Sequence, residues 1–374
     1  MKKLLTKKMS VPELIVSLDF GASLIKGVYT LGKKFEPKLL TLSPHLLPIP
    51  PTTDLEPYNA ASLSLTASAW IECKGKRYAV GTLAKNRFNA PVLLELPKIE
   101  SIIPRTLAAI GCIASAEGLE EFTLSLWISI PSNEYKEGLN ISQKIKQSLL
   151  DFIFRGKRIV ANLMDFSCKP EGAGIFLRII GQANFNARKA AVLMLGYRNA
   201  TILFYKEGLI EKITENYGFA SIVEGIQSLA LLPGDLDEVV GKIFEAGDKL
   251  DKKILKTLCF GDSADTSRIN AIESAIQKSR EEYFTLLNYW LGGKLIDGPE
   301  VIVVVGGTSH YPYVKNKLTQ LFKKTQIKLD WGEELADKIG FVFKSQVASN
   351  PSLKYRLLDV YSLFLEQDTH QRRI

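Results

Sequence analysis

Residues 19–26 combine the residue types that bind phosphate groups. They read Asp-Phe-Gly-Ala-Ser-Leu-Ile-Lys and follow a run of apolar, β-branched residues. A glycine turn after a strand brings backbone N–H groups close to a ligand, and adjacent amides of this kind bind anions. Lys26 adds a compact positive charge, Ser23 adds a hydroxyl donor, and Asp19 can hold Mg²⁺ through water. The same residues also suit a plain β-hairpin with a solvent-facing lysine, so this interpretation stays open.

A second segment repeats this arrangement. Residues 191–196 form an apolar run that stops at Gly196, and a further strand is predicted at residues 201–205. Gly196 thus has the place that Gly21 has in the first segment. The sequence therefore predicts a weak internal duplication, with two glycine hairpins that face each other. The alternative is chance similarity between two apolar strands.

A third glycine corner follows the apolar run at residues 301–305. Gly306 and Gly307 lack side chains there, which lets a helix N-terminus approach a phosphate group or a flat ring. A glycine pair after a strand is also a common packing turn. The signal gains weight from its position, because it comes third in a series of glycine corners along the chain.

The elements that must position these corners alternate between strands and helices, which predicts an α/β fold. Strands are predicted at residues 15–21, 24–29, 124–130, 191–196, 201–205 and 301–305, and a hairpin at residues 70–80. Helices are predicted at residues 141–154, 219–231, 236–257 and 267–291, and in the tail from Asn350. The proline-rich residues 44–57 are expected to form an extended surface loop.

Length and composition indicate an ordinary globular protein with two domains or one large α/β body. The chain has 374 residues, of which 46% are hydrophobic and 24% are charged. No run approaches the roughly 18 uninterrupted apolar residues of a membrane span, and the first residues lack the features of a signal peptide. The four cysteines are scattered without a CxxC pair, which favours reduced thiols in the cytoplasm over a structural zinc site.

The formal net charge of +8 is distributed over small lysine clusters at the N-terminus and near residues 252 and 323. Aromatic residues do not interleave with these clusters, as they do in surfaces that bind single-stranded nucleic acid. We therefore interpret the clusters as solvated faces. Direct binding of DNA stays a minor hypothesis, and contact with a membrane is not expected.

Taken in order, these segments resemble the actin-like ATPase superfamily over nearly the whole chain, and within it the plasmid-segregation branch of ParM or StbA type. LDFGASLIKGVY resembles the first phosphate loop, LMLGYRNATILFYKEG the second, and VIVVVGGTSHYPYVKNKL the adenosine motif. The resemblance implies an actin-like fold in which two ribonuclease-H-like domains flank a nucleotide cleft. Domain I is expected at residues 12–188 with a C-terminal return at 336–374, and domain II at residues 189–335.

The resemblance also implies which residues bind the nucleotide and which one orients the attacking water. Glu171, in the segment KPEGAGIF, has the place of the water-orienting residue, and its carboxylate can accept a hydrogen bond from water. A surface glutamate in a Pro-Glu-Gly turn is the open alternative. Asp19 is the implied Mg²⁺ residue. The implied nucleotide-binding residues are Asp19, Gly21, Ala22, Ser23, Lys26, Gly196, Tyr197, Arg198, Asn199, Gly306, Gly307 and Thr308.

One position departs from the family pattern. The second phosphate loop of the family begins with an aspartate that helps to hold the metal, and here that position is Met194. A thioether is a poor ligand for a hard cation such as Mg²⁺. Arg198 could compensate for the lost metal charge, or it could point to solvent. Nucleotide binding is therefore expected to survive, whereas fast hydrolysis is not.

The resemblance implies an ATP- and Mg²⁺-binding protein that forms nucleotide-dependent filaments in the cytoplasm and acts in plasmid or other DNA segregation. Its partners would be further copies of itself and a DNA-bound adaptor protein, and its ATPase activity would be weak. Two alternatives stay open. One is a small-molecule kinase of the same superfamily, such as a sugar kinase, and the other is a scaffold that does not hydrolyse nucleotide.

Overall fold

The three-dimensional structure alternates strands and helices, as the sequence predicts for an α/β protein. It is a computed structural model that describes residues 11–32, 34–92, 97–180, 189–206, 209–232, 236–259, 266–295 and 298–373. The N-terminal lysine cluster lies outside these residues. The described parts form two β-sheets with helices packed on them and between them.

The first sheet is built from the described strands of residues 13–170. They are β1 (Glu13–Phe20), β2 (Ile25–Leu31), β3 (Lys38–Leu42), β4 (Leu46–Ile49), β5 (Trp70–Cys73), β6 (Lys76–Val80), β7 (Glu121–Ile130), β8 (Phe152–Phe154) and β9 (Lys157–Pro170). Their order across the sheet is β3-β2-β1-β7-β9-β8-β5-β6-β4. Near the centre, β1 pairs antiparallel with β2 and parallel with β7, which pairs parallel with β9.

The second sheet repeats this central arrangement with fewer strands. The described strands are β10 (Lys189–Leu195), β11 (Ala200–Lys206), β12 (Leu209–Glu215), β13 (Val301–Val305) and β14 (Lys328–Asp330), in the order β12-β11-β10-β13-β14. Here β10 pairs antiparallel with β11 and parallel with β13. The internal duplication that the sequence predicts is therefore present in the strand topology.

Helices cover the outer faces of both sheets and fill the space between them. The described α-helices are α1 (Gly81–Phe88), α2 (Lys98–Glu117), α3 (Gly138–Leu149), α4 (Ala173–Ile180), α5 (Phe219–Ala230), α6 (Leu236–Ala246), α7 (Lys252–Lys256), α8 (Thr266–Lys294), α9 (Pro312–Phe322), α10 (Glu333–Val342), α11 (Lys344–Ser349), α12 (Leu353–Arg356) and α13 (Leu358–Gln371). Helices α2 and α3 pack on the first sheet, and α5, α8 and α9 pack on the second.

A third apolar core lies between the two sheets. Helices α4, α10, α12 and α13 contribute to it, together with Ile15 and Val28 from the first sheet and Val192 and Val303 from the second. Strand β1 is thus buried on both faces, because its alternate side chains enter two different cores. This middle layer brings the C-terminal ends of β1 and β10 to the same side of the molecule. There the backbone turns at Gly21 after β1 and at Gly196 after β10.

Two predictions about the first sheet are wrong. Residues 44–57 are not a surface loop, because they include β4 and a 3₁₀ helix begins at Glu56. A strand can hold Pro48 at this place because β4 is the edge of the sheet, where a missing backbone N–H costs no ladder bond. The helix predicted at 141–154 ends at Leu149, and its last residues form β8.

Two predicted helices are each broken in two. The helix predicted at 236–257 is divided between α6 and α7, where Gly247 and Leu250 have φ angles of +67° and +54°. The tail helix is divided at Leu357, between α12 and α13. Helix α2 is apolar and long enough to cross a membrane, but most of it is buried in this protein. The predicted domain boundary at 188/189 follows residues 181–188, which are outside the described ranges, and the one at 335/336 falls within α10. Both stay predictions.

Candidate functional site

A cavity of about 470 Å³ lies at the glycine corners of both sheets. It is also lined by residues of α6, α12 and α13, and its volume is in the range of small-molecule sites, roughly 300–1,000 Å³. The residues that the sequence predicts and that line it are Asp19, Gly21, Ala22, Ser23, Lys26, Glu171, Gly196, Tyr197, Arg198, Asn199, Gly306, Gly307 and Thr308. Met194, the position that departs from the family pattern, lines it as well. The structure therefore brings together every predicted site residue, and the role of each stays a prediction.

The first glycine corner holds a buried ion pair. Asp19 and Lys26 face each other across the β1–β2 ladder, and the Lys26 ammonium contacts Asp19 Oδ2. The two residues are 1% and 7% exposed, so a solvent-facing lysine is excluded. The second oxygen, Asp19 Oδ1, is buried and has no hydrogen-bond partner among the described residues. This side of the cavity can therefore offer an ammonium donor and one carboxylate oxygen.

The second and third corners are joined to each other by hydrogen bonds. The Gly196 amide donates to the Asn199 carbonyl across the turn at 2.9 Å. The Thr308 hydroxyl donates to the Gly196 carbonyl at 2.7 Å. Gly306 has a φ angle of +94°, and a Cβ atom there would lie 2.3 Å from the carbonyl oxygen of Leu195. Only glycine fits this approach of the two backbones.

Glu171 lines the cavity and lies in the turn between β9 and α4. Its amide donates to the Ile130 carbonyl at 2.8 Å. Gly172 follows with a φ angle of +87°, and its amide donates to Asp359 Oδ2 at 2.8 Å. Glu171 is only 5% exposed, so the alternative of a surface glutamate is wrong. Two backbone hydrogen bonds thus fix the turn from which this carboxylate projects.

Asp359 in α13 was not predicted and has a structural task in the site. Its second oxygen accepts the Ile175 amide at 3.2 Å, so the carboxylate caps the first turn of α4. Burial raises the pKa of Asp359 from 3.8 to about 6, and the negative charge of Asp19 adds to the rise, while the Gly172 and Ile175 amides oppose it. The carboxylate lines the cavity, yet both oxygens accept backbone N–H groups.

Lys98 is a second residue that sequence reasoning missed. It begins α2, is 7% exposed, and forms an ion pair with Glu171. Next to it, the Ile99 amide donates to Glu134 at 2.9 Å, and the other oxygen of Glu134 lies 3.9 Å from Arg198. Burial raises the pKa of Glu134, against the positive charges of Lys98 and Arg198. Glu134, from the half that contains the first sheet, is therefore a neighbour of Arg198 in the second glycine corner.

Arg356 at the end of α12 is the third residue that was missed. Its guanidinium donates to the Ser23 hydroxyl at 2.8 Å, and its side chain runs past Gly307 at 3.7 Å from the place of a Cβ atom there. It therefore connects the first glycine corner with the third. Its only signal in the sequence is that it is a basic residue within the tail that is predicted to be helical.

The far end of the cavity is aromatic and apolar. His310 stacks on Tyr355 with ring centroids 3.6 Å apart and 23° between the planes. Burial lowers the pKa of His310 from 6.5 to about 4, so the ring is neutral near pH 7. Val240 and Phe244 of α6 also line this end. Such walls suit a flat, uncharged ring more than a phosphate group.

The residues of the cavity offer few ligands for a divalent metal. Among the described residues, no group of three or more histidines, cysteines, aspartates and glutamates could hold an ion. Asp19 Oδ1 and Asn199 Oδ1 are buried oxygens without a described partner. Mg²⁺ keeps several waters and needs few protein ligands. The two oxygens therefore fit a hydrated ion that arrives on phosphate groups, and they do not fit a resident metal.

Comparison with known proteins identifies the fold. No protein-family model and no curated protein sequence matches the chain. Among solved structures, the filament of ParM from Clostridium botulinum matches with a TM-score of 0.64 at 14% identity, over 96% of this chain and 99% of that one. ParM from Bacillus thuringiensis with AMPPNP matches with a TM-score of 0.60 at 14% identity, over 96% and 99%. Apo ParM of pSK41 matches with a TM-score of 0.55 at 14% identity and the same coverage. The chain has the actin-like fold of ParM proteins.

Proposed function

We propose that this chain binds ATP between two actin-like domains and assembles with copies of itself into filaments whose stability depends on the nucleotide. The observation that carries the proposal is the cavity into which three glycine corners converge with Lys26, Arg198 and Arg356. Backbone amides and cationic side chains suit the phosphates, and the aromatic end suits the base. Domain I would comprise residues 12–188 with the return at 336–374, and domain II residues 189–335.

The ParM structures with this fold support both parts of the proposal. One of them was solved with AMPPNP and another as a filament. We infer by this likeness that the present chain binds an adenine nucleotide and polymerises. The cellular task would be segregation of a plasmid or another DNA molecule in the cytoplasm, through a DNA-bound adaptor protein.

Contacts between the halves give the nucleotide a means to alter the shape of the molecule. The hydroxyl groups of Ser132, after β7, and Thr214, in β12, form a hydrogen bond of 2.8 Å between the first-sheet half and the second-sheet half. The Lys212 ammonium lies 3.9 Å from the ring centroid of Tyr135 beside them. A ligand that binds both Lys26 and Arg198 would change the balance of these contacts, because it interacts with both halves at once.

Glu171 would orient the attacking water in a slow hydrolysis. Its carboxylate faces the cavity and can accept a hydrogen bond from water. The ion pair with Lys98 competes for the same carboxylate, so hydrolysis would require Lys98 to turn toward the phosphates. Mg²⁺ would enter with the nucleotide and contact Asp19 through water, and no step is assigned to it.

Sedimentation with and without ATP, together with phosphate release, tests the proposal. We expect the protein to pellet in a nucleotide-dependent manner and to release phosphate slowly. In Lys26→Ala, the loss of a charge-assisted contact should weaken ATP binding by about 1.5–3 kcal/mol. Lys338→Ala on the exposed face of α10 is a matched control and should bind as the unaltered protein does. Equal ATP affinity in both variants would argue against the first phosphate loop.

The role of Glu171 has its own test. Glu171→Gln keeps the shape of the side chain and removes its charge. We expect ATP affinity to change little and phosphate release to slow by about 10²-fold or more, the usual contribution of a general base or water-orienting group. An unchanged rate of phosphate release would remove Glu171 from the reaction.

A scaffold that binds nucleotide without hydrolysing it is the second candidate. Met194 in place of a carboxylate and the Lys98–Glu171 ion pair both favour it. Nucleotide-dependent pelleting without phosphate release would identify it. A sugar kinase finds less support, because the sequence has no distinctive Asp-containing sugar motif and both oxygens of Asp359 already accept backbone N–H groups.

A further inference from the structure

Cationic side chains surround the phosphate end of the cavity. Within the described residues, four lysines and arginines line it: Lys26, Lys98, Arg198 and Arg356. They come from four separate parts of the chain, namely β2, α2, the second glycine corner and α12. Both lysines are 7% exposed, so their charges act in a poorly hydrated setting where interactions with an anion are strong.

The carboxylates that line the cavity are already committed to protein partners. Asp19 Oδ2 is paired with Lys26, and Glu171 with Lys98, while Asp19 Oδ1 has no hydrogen-bond partner among the described residues. Asp359 accepts two backbone N–H groups of the α4 turn. A polyphosphate that enters would therefore meet cations it can bind and few carboxylate oxygens that are free to bind a metal.

Met194 makes this imbalance stronger at the second glycine corner. It is 8% exposed and pairs with Thr201 in the β10–β11 ladder, at the position that Asp19 has opposite Lys26 in the β1–β2 ladder. The first corner thus has a carboxylate and an ammonium group where the second has a thioether and a hydroxyl. A metal ion between the corners would have a protein carboxylate on one side only.

We propose that this chain binds nucleoside triphosphate without requiring a divalent cation, because its own lysine and arginine side chains neutralise the phosphates. The inference rests on the proposed nucleotide site and deepens it. Mg²⁺ assists binding in most such sites by cancelling phosphate charge. Here the Lys98 and Lys26 ammonium groups can exchange a carboxylate for a phosphate oxygen, while Arg356 and Arg198 approach from the third and second corners. Charge-assisted contacts of this kind are the strong hydrogen bonds of proteins.

Calorimetric titration of the full-length protein with ATP and, in parallel, GTP tests the inference. Each titration is made with excess Mg²⁺ and again with EDTA. For the better nucleotide we expect the two dissociation constants to agree within about threefold. A dissociation constant that is about tenfold or more weaker in EDTA would overturn the inference while leaving the nucleotide site in place. Absence of binding of both nucleotides in both buffers would overturn the proposed function together with it.

Two substitutions at one position sharpen the test. Met194→Asp puts a carboxylate beside the phosphates, so binding should become at least about tenfold tighter in Mg²⁺ than in EDTA. Met194→Leu keeps the position apolar, so its two dissociation constants, with Mg²⁺ and with EDTA, should agree within about threefold. If Met194→Asp showed no more dependence on Mg²⁺ than Met194→Leu, position 194 would not determine the requirement for metal, and the argument from the second corner would fail.

Arg356→Gln and Lys98→Met test the cations themselves. Each variant should weaken binding in EDTA by about five- to tenfold and weaken it less in Mg²⁺, because the ion then supplies the missing charge. Circular dichroism of each variant shows whether it is folded. An equal loss in both buffers would mean that these side chains do not replace a metal, and it would count against the inference.

Discussion

The two glycine hairpins share one backbone and differ in charge. Asp19 and Phe20 face Lys26 and Ile25 in the first, and Met194 and Leu195 face Thr201 and Ala200 in the second, so the ladders are in the same register. Each hairpin also lies beside a parallel strand, β7 or β13. In the first hairpin Asp19 and Lys26 form a buried ion pair. In the second hairpin the equivalent residues place the Met194 thioether opposite the Thr201 hydroxyl.

This comparison teaches that loop shape and loop chemistry are separable. The shape depends on backbone pairing and on glycine, which both halves retain. The chemistry depends on the two side chains that face each other near the end of each ladder, of which Asp19, Lys26 and Met194 line the cavity. Because Thr201 forms a hydrogen bond to Thr214 at 2.9 Å, the second hairpin also has its polar group directed toward its own sheet. The first hairpin can therefore interact with a charged ligand through its side chains, whereas the second contributes mainly its backbone.

The largest expected effect is loss of the ion pair in the first hairpin. Lys26→Met leaves Asp19 buried without its counter-charge, which should lower the free energy of unfolding by about 3–5 kcal/mol. Thr201→Val at the equivalent position should lower it by only about 1 kcal/mol, the value of a single hydrogen bond. Urea titrations of both variants provide the measurement.

A double variant separates charge from packing. Asp19→Asn with Lys26→Met removes both charges and should recover much of the stability that Lys26→Met loses. If the two single-site variants at positions 26 and 201 were equally unstable, the proposed difference between the hairpins would be wrong.

Asp359 should make stability depend on pH, and Asp19 should amplify the effect. The carboxyl group has an ordinary pKa of 3.8, and burial raises this pKa to about 6 in the fold. Because the folded state holds the proton more tightly, its contribution is complete below pH 3.8 and is lost as the pH rises through about 6. The loss is at most about 3 kcal/mol.

Asp359→Asn cannot titrate, so its free energy of unfolding relative to that of the unaltered protein should rise between pH 4 and pH 7. Urea titrations across this range measure the difference. Asp19→Asn removes the neighbouring negative charge and should lower the pKa of Asp359, which makes the pH dependence smaller. A difference between the Asp359→Asn variant and the unaltered protein that stays constant with pH would contradict the assignment.

Substitution by alanine should destabilise the protein more at Gly21 than at Gly196. A Cβ atom at Gly21 would lie 2.6 Å from the Leu24 carbonyl oxygen, whereas at Gly196 it would lie 3.1 Å from that of Asn199. We expect Gly21→Ala to lower the free energy of unfolding by about 1–3 kcal/mol, in the usual range for a steric conflict with backbone. Gly196→Ala should cost less, and thermal unfolding of both variants decides the order.

The smallest effect is expected at Met194. Met194→Leu conserves volume and apolar character, so the free energy of unfolding should change by less than about 1.5 kcal/mol. A large loss measured by urea titration would mean that the thioether makes a specific contact, and the second hairpin would then have chemistry of its own.

The sequence was sufficient where the signal is local. The strand–glycine–strand pattern predicted β1, β2, β10 and β11 and the three corners, because apolar runs and glycine report directly on backbone geometry. It failed at β4, where Pro48 suggested a loop although an edge strand tolerates proline. It also failed to divide the helix near Gly247, since apolar periodicity continues on both sides of the break.

The failure to predict three residues of the cavity has a different cause. Lys98, Arg356 and Asp359 lie far along the chain from the residues they contact, which are Glu171, Ser23 and Gly172. No spacing rule connects such positions, because Arg356 and Asp359 meet their partners only when α12 and α13 return between the sheets, and Lys98 meets Glu171 from the start of α2. Each of the three stands among both apolar and polar residues, so nothing in the sequence distinguishes it from the many solvated charged residues of the chain.

Pro48 has a further consequence for how copies of this protein can meet. It lies in β4, the outermost strand of its sheet, and has no amide hydrogen to offer. A neighbouring molecule that tried to add a strand at this border would find the row of donors interrupted. Strand addition and stacking of the amyloid kind are therefore disfavoured at this border, and a neighbouring copy could contact it only through side chains.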